Sequence, residues 1–142
     1  MTKPHVQVNP QYCTMCRTCE LVCSGRYLGN GVNPKVSRIR VESDKRENKN
    51  TPKVCFQCED AFCMQACPTK PEKAIRIDPD LGIPVVNKEL CIGCTLCVQS
   101  CPYGLMFFDE TQKKALKCDL CGGKPQCVEN CWMRALSYIE KE

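Results

Sequence analysis

Sixteen of the 142 residues are cysteine, and they fall into four groups of four with none left over. Cys13, Cys16, Cys19 and Cys23 are spaced C-x2-C-x2-C-x3-C. Cys55, Cys58, Cys63 and Cys67 follow as C-x2-C-x4-C-x3-C. Cys91, Cys94, Cys97 and Cys101 repeat the first spacing, and Cys118, Cys121, Cys127 and Cys131 read C-x2-C-x5-C-x3-C. Soft thiolates suit zinc and iron–sulfur clusters, and so many cysteines also suit a disulfide scaffold. Three thiols two residues apart fit a tight loop that wraps one face of a cubane. The fourth lies just beyond, at the start of a helical turn, and points away. That geometry favours four [4Fe–4S] clusters.

The competing chemistries fit less well. Zinc sites pair two separated C-x2-C units or add histidine, and the only histidine is His5. A disulfide framework needs an oxidising compartment, and cysteines packed this locally bridge poorly. A metallothionein-like sponge lacks strand and helix segments between its thiols. A radical enzyme that uses S-adenosylmethionine needs C-x3-C-x2-C, which no quartet shows. Proline follows the last cysteine at Cys67-Pro68 and Cys101-Pro102, as in two-cluster iron–sulfur motifs. Ser24 and Trp132 stand there in the first and last quartets.

Elements must position these loops. Ala74-Ile75-Arg76-Ile77 and Ile83-Pro84-Val85-Val86 flank the turn-rich Asp78–Gly82 and predict a hairpin. Leu105–Phe108 and Ala115–Lys117, joined by Asp109–Lys114, predict a second. Leu136–Ile139 reads as a last strand, and each third-to-fourth cysteine interval as the start of a short helix. In the long gap after Cys23, Ser37–Val41 alternates like a strand, and the polar stretch Glu42–Lys53 reads as a solvated loop or a docking surface. The fold expected is α+β and ferredoxin-like, with short hairpins and short helices. Residues 1–142 form one domain, with 51–111 as a contiguous inner two-cluster module and 1–50 with 112–142 as the outer one.

Aromatic residues make up only 6% of the chain, too few for an ordinary core. Metal–ligand bonds can supply folding energy directly, so the clusters themselves are expected to be the core. No apolar run approaches the ~18–20 residues of a membrane span, and Met1–Pro10 has no signal-like stretch. These features predict a cytoplasmic protein without membrane insertion. Four clusters, each about 2− with its thiolates, take the formal charge of +4 to about −4, so the basic balance does not point to nucleic acid.

The quartets Cys13–Cys23, Cys55–Pro68, Cys91–Pro102 and Cys118-Asp119-Leu120-Cys121 resemble those of four-cluster ferredoxin-type subunits of multisubunit oxidoreductases, over nearly the whole chain. Cys16–Ser24, Asn33-Pro34 and Ser37–Val41 look most like the small subunits of tungsten aldehyde oxidoreductases and benzoyl-CoA reductases. The resemblance implies crossed ligation in two pairs. Cys55, Cys58 and Cys63 would share a cluster with Cys101, and Cys91, Cys94 and Cys97 with Cys67. Cys13, Cys16 and Cys19 would share with Cys131, and Cys118, Cys121 and Cys127 with Cys23.

It further implies an electron-transfer subunit, not catalytic on its own and at home in an anaerobic setting. Its partners would be a large tungsten- or molybdenum-pterin oxidoreductase subunit and a donor or acceptor such as ferredoxin or a flavoprotein subunit. The alternatives are a free-standing polyferredoxin, the iron–sulfur subunit of a hydrogenase, formate dehydrogenase or carbon monoxide dehydrogenase, and, remotely, a zinc-binding structural module. Tyr12, Phe56 and Ile92 are expected to shield clusters. Trp132 is expected to plug the outer one, His5 to lie at the surface, and Gly122-Gly123 to form a tight turn.

Overall fold

A computed structural model describes residues 3–140. In chain order the elements are β1 (His5–Val8), α1 (Thr18–Leu28), β2 (Ile39–Asp44), β3 (Lys49–Val54), α2 (Phe62–Ala66), β4 (Ile75–Ile77), β5 (Pro84–Val86), α3 (Leu96–Ser100), β6 (Phe107–Asp109), β7 (Lys114–Leu116), α4 (Gln126–Glu129) and β8 (Leu136–Ile139). Short 3-10 turns accompany them. The strands form four separate two-stranded antiparallel ladders: β1–β8, β2–β3, β4–β5 and β6–β7. Helices and strands mix as expected of an α+β ferredoxin-like chain.

The three hairpins share one turn. In each, an aspartate carboxylate accepts the amides two and three residues on, and the fifth residue takes the left-handed conformation. Asp44 Oδ1 accepts from Arg46 N at 2.9 Å and Glu47 N at 3.4 Å, with Asn48 at φ 51°. Asp78 serves Asp80 and Leu81, with Gly82 at φ 71°. Asp109 serves Thr111 and Gln112, with Lys113 at φ 57°. Short polar side chains that bond their own backbone favour such turns. The β4–β5 and β6–β7 ladders match the two expected hairpins, although the latter begins at Phe107 and leaves Leu105 and Met106 buried outside it.

Glu42–Lys53 is not a loop. It completes the longest ladder, with Ile39 opposite Val54 and Asp44 opposite Lys49. Its outer end is solvated on both faces, so it lacks the alternation that marks a half-buried strand; only Ile39, Val41, Pro52 and Val54 are buried. β1 was not expected either. His5-Val6-Gln7-Val8 alternates, but its partner lies at the far end of the chain: His5 pairs with Ile139 and Val8 with Leu136.

Two apolar cores result. One gathers Val6, Ile39, Val41, Val54, Ile83, Leu120 and Leu136 with Cys19, Cys23 and Cys127. The other is smaller, with Ile75, Met106 and Ala115 beside Cys63 and Cys97. Cysteines are members of both. α1 packs with α4 in the larger region and α2 with α3 in the smaller. β3 lies with the larger region and β7 with the smaller, so these two strands cross the module boundaries drawn at 51 and 111.

Candidate iron–sulfur sites

Each quartet starts from the same backbone device. The residue just before the second cysteine is left-handed in all four: Met15 (φ 62°), Gln57 (φ 55°), Gly93 (φ 74°) and Leu120 (φ 57°). Such angles are uncommon outside glycine. Here they curl the loop so that amides face the first thiol: Gln57 N donates to Cys55 Sγ and Leu120 N to Cys118 Sγ, both at 3.4 Å. Only Gly93 carries no side chain, and only there does the space forbid one. A Cβ would lie 2.4 Å from the Lys113 carbonyl oxygen. A second left-handed residue (Arg17, Ala61 or Thr95) then starts α1, α2 or α3, whose first turn carries the third cysteine. Upstream, the Asn9 and Asn87 side chains cap the turns that lead into Cys13 and Cys91.

The cysteines gather across quartets. Cys13, Cys16 and Cys19 line one cavity with Cys131, together with Val41, Trp132 and Leu136. Cys91, Cys94 and Cys97 line another with Cys67, beside Ile75, Ile92 and Phe108. Cys55, Cys58 and Cys63 line a third with Cys101, beside Pro84, Met106 and Lys117. The three are alike in size. In the fourth quartet Cys127 lies near both Cys23 and Cys121, and Cys118 near Cys127.

Neighbouring sets also lie within electrostatic reach of one another. Cys97 lies near Cys63, Cys118 near Cys55, and Cys127 near Cys19. The four sets therefore follow one another as a row: Cys91, Cys55, Cys118 and Cys13 loops in that order. Cys94 at one end and Cys16 at the other are the exposed thiols of the sixteen.

Burial dominates the thiol energetics. It pushes Cys19 and Cys127 up to about 12 and Cys97 up to about 11, with neighbouring thiols and, at Cys19, Glu20 adding. Burial likewise raises Cys58, Cys63, Cys118 and Cys121. Two thiols go the other way. Thr18, through its side chain and amide, lowers Cys16; at Cys67 burial is outweighed by the Thr69 hydroxyl and nearby amides. Amides further donate from Arg38 to Cys23 (3.2 Å), Leu105 to Cys101 and Ala115 to Cys91 (3.4 Å each). Lys114 Nζ donates to the Cys91 carbonyl at 2.6 Å.

This donor set fits a cluster better than a lone ion. Among the described residues no three Cys, His, Asp or Glu side chains converge closely enough to hold a single metal ion. The thiols face one another across cavities instead, with apolar walls and amides aimed at sulfur. Those are the features by which a protein holds and tunes an iron–sulfur cluster.

The flanking residues behave unequally. Ile92 lines its cavity yet is 68% exposed, and Trp132 lines the outer one while 72% exposed. Phe56 packs edge-on against Tyr103 at 5.0 Å instead of covering thiols, and exposed Tyr12 is absent from the cavity beside its own quartet. His5 sits half-buried in β1 and bonds the Lys3 carbonyl. Gly122 and Gly123 both take positive φ in a tight turn.

Sequence reasoning missed several polar groups around the sites. Glu20 is buried and accepts from Arg17 Nη1 at 2.7 Å and from Val41 N at 3.4 Å. Arg38 is buried with its guanidinium 3.5 Å over the Tyr27 ring, and the Tyr27 hydroxyl donates to Asp119. Lys117 is buried beside Gln57. A lysine or arginine next to a cysteine loop reads as solvated, and nothing in the local pattern marks it otherwise.

Thiol quartets around apolar cavities on short ladders and helices define an iron–sulfur protein of the ferredoxin class. The family described as a 4Fe-4S dicluster domain matches residues 47–141. The chain is 40% identical over 126 residues to the polyferredoxin-like subunit of an aliphatic sulfonate oxidoreductase of Pyrococcus furiosus, covering 89% of this chain and 70% of that one. It is 34% identical to the B subunit of the anaerobic dimethyl sulfoxide reductase of Escherichia coli, covering 92% and 70%. Among solved structures, a subunit of the BamBC active-site complex of benzoyl coenzyme A reductase with benzoyl-CoA superposes with a TM-score of 0.57. It is 26% identical, covering 97% of this chain and 80% of that one. The chain belongs to the 4Fe-4S dicluster family, and its cofactors are 4Fe–4S clusters. It is an electron-transfer iron–sulfur protein of the kind found as a subunit of oxidoreductase complexes. Among the described residues no helix is long and apolar enough to cross a membrane.

Proposed function

We propose that this chain is a single four-cluster domain that relays single electrons between a redox donor and a large catalytic oxidoreductase subunit, in the cytoplasm of an anaerobe. The observation that carries the reading is the row of four cysteine sets, each next to another, with the two exposed thiols, Cys94 and Cys16, in its two end sets. The ligand sets are Cys13, Cys16, Cys19 and Cys131; Cys118, Cys121, Cys127 and Cys23; Cys55, Cys58, Cys63 and Cys101; Cys91, Cys94, Cys97 and Cys67. The two inner sets and the two outer sets form the two modules.

Bound clusters supply one-electron oxidation and reduction. The chain's own residues do the rest. Left-handed residues curl each loop, amides on the thiolates favour their charged form, and Val41, Leu136, Ile75, Met106 and Pro84 exclude water. None of the four sets substitutes Asp or His for a thiol, so substrate chemistry falls to the partner. The similarity to the benzoyl-CoA reductase subunit supports a tungsten- or molybdenum-pterin partner, fed by ferredoxin or a flavoprotein.

Metal analysis of the complex purified anaerobically from its source tests this. Iron and acid-labile sulfide near sixteen each per chain (~4 per cluster), co-eluting with tungsten or molybdenum, is the expected result. Nickel in their place points to a hydrogenase or carbon monoxide dehydrogenase. A chain that elutes alone is a mobile polyferredoxin, and zinc without sulfide overturns the electron-transfer reading itself.

A further inference from the structure

The row of cysteine sets has one junction built differently from the others. Between the Cys55 loop and the Cys118 loop sits Lys117, 6% exposed. Its Nζ donates to Gln57 Oε1 at 2.7 Å and to the Cys118 carbonyl at 3.2 Å. Gln57, 3% exposed, donates in turn from Nε2 to the same Cys118 carbonyl at 3.0 Å. Lys117 thus lines the Cys55–Cys58–Cys63–Cys101 cavity while lying next to Cys118 in the chain.

Among the described residues the ion pairs are Arg17–Glu20, Arg76–Glu72 and Lys113–Glu110; none involves Lys117. A buried cation without a carboxylate is costly. Two neutral acceptors satisfy part of its hydrogen-bonding capacity but none of its charge. What balances the charge is the thiolates on both sides, which are negative only when a cluster holds them. The other cationic side chains at the cysteine loops differ. Lys114 reaches only the Cys91 carbonyl and is half-exposed, Arg26 stands beside Cys121 on the flank of the row, and Arg38, though buried beside Cys23, donates to the Val36 carbonyl and lays its guanidinium over the Tyr27 ring.

We propose that Lys117, oriented by Gln57, is the positioning charge that raises the reduction potentials of the two central clusters relative to the two end clusters. The inference rests on the four-cluster reading above. A reduced cluster carries one more negative charge than an oxidised one, so a fixed cation between two clusters favours the reduced form of both. Net charge and local electrostatics are established levers on these potentials. An electron placed at either exposed end is then drawn to the middle of the row.

The test is a redox titration, followed by electron paramagnetic resonance, of the wild type and the Lys117→Met, Lys117→Arg and Gln57→Glu variants, each with iron and sulfide counted. Wild-type protein that lacks four clusters ends the four-cluster reading before the Lys117 question arises. With four clusters present, Lys117→Met is expected to shift two of the four midpoints to lower potential by about tenfold in the reduction equilibrium, about 59 mV for one electron. Lys117→Arg should keep them near wild type, and Gln57→Glu, which neutralises the cation in place, should lower the same two. Unmoved midpoints in fully loaded Lys117→Met overturn the proposal. Equal shifts of all four overturn it too. If Lys117→Met fails to load iron, Gln57→Glu decides. Loss of iron in Lys117→Arg as well marks Lys117 as structural and overturns the proposal.

Discussion

The inner and outer halves of the row solve the same problem at different sequence distances. In the inner half, the loops that share a cavity are near neighbours in the chain. Five-residue helices and three-residue strands suffice, and the apolar core beyond the cysteines is Ile75, Met106 and Ala115. In the outer half, Cys131 must reach Cys13, Cys16 and Cys19 from the other end of the chain. There α1 runs to eleven residues, the β2–β3 ladder is twice as long as the others of its kind, and β1 pairs with β8. Closing a loop roughly three times longer costs only about 1 kcal/mol more, at roughly 0.6 kcal/mol per doubling. Burying Val6 alone contributes about 2 kcal/mol. The extra elements therefore exceed what closure entropy demands. The thiols of the two halves are buried alike, so the lesson is that the larger apolar core around Val6, Ile39, Val41, Val54 and Leu136, not chain closure, accounts for the size of these elements.

Removing the iron should separate the two halves most. Structural metal sites contribute on the order of 10 kcal/mol to folding. Chelation under anaerobic conditions should abolish amide protection in β4–β7, while β1, β8 and the inner ends of β2 and β3 keep a measurable part of theirs. Hydrogen exchange read by mass spectrometry checks this. Equal loss in both halves removes the distinction.

Ligand variants probe the crossing in each half. Cys131→Ala should damage the cluster on the Cys13 loop, and Cys101→Ala the cluster on the Cys55 loop. Mössbauer spectra that instead show loss confined to each variant's own quartet would disprove crossed ligation.

Gly93 and Met15 occupy the same left-handed position in the two end loops. Gly93→Ala drives a Cβ into the Lys113 carbonyl and should cost about 3 kcal/mol or more, with loss of iron from the inner end. Met15→Gly should gain about 1 kcal/mol at the outer end. Thermal unfolding with iron counts reads both.

The smallest effect concerns pH. Cys19 and Cys127, held up at about 12, and Cys97, at about 11, are protonated in the iron-free chain at neutral pH, so loading iron must release those protons. Reconstitution should quicken as pH rises from about 7 to 9, more at the Cys118 set, where Cys118, Cys121 and Cys127 are all raised, than at the Cys13 and Cys67 sets, each of which holds one lowered thiol. The raised thiols also support the iron-free fold below the ordinary thiol value near 9. That support is lost as pH climbs through about 12. Chelator-stripped protein refilled across a pH series tests both signs.

Much of this was legible from the residues. The quartets announce the cofactor because spacing alone dictates loop shape. The β4–β5 and β6–β7 hairpins were readable because apolar strands flank Asp-led turns. β1 was not, because its partner lies at the other end of the chain. β3 was hidden by Lys49 and Asn50 at the ladder's outer end and by half-buried Lys53 nearer its inner end, which leave no apolar alternation to read. Lys117, Arg38 and Glu20 escaped notice for a different reason. Their burial depends on which loops come together, and a charged side chain carries no local sign of that.

The placement of Cys131 beside the first quartet also sets an order of events during synthesis. As the chain leaves the ribosome, the Cys55 and Cys91 loops have all eight of their thiols once Cys101 has emerged. The Cys13 loop emerges first and waits longest, since Cys131 is the last of the sixteen cysteines to appear. Iron delivery can thus complete the inner pair on a growing chain, whereas the outer pair must wait until Cys131 has emerged. A nascent chain that stalls after Cys101 would carry half its iron and an open first quartet.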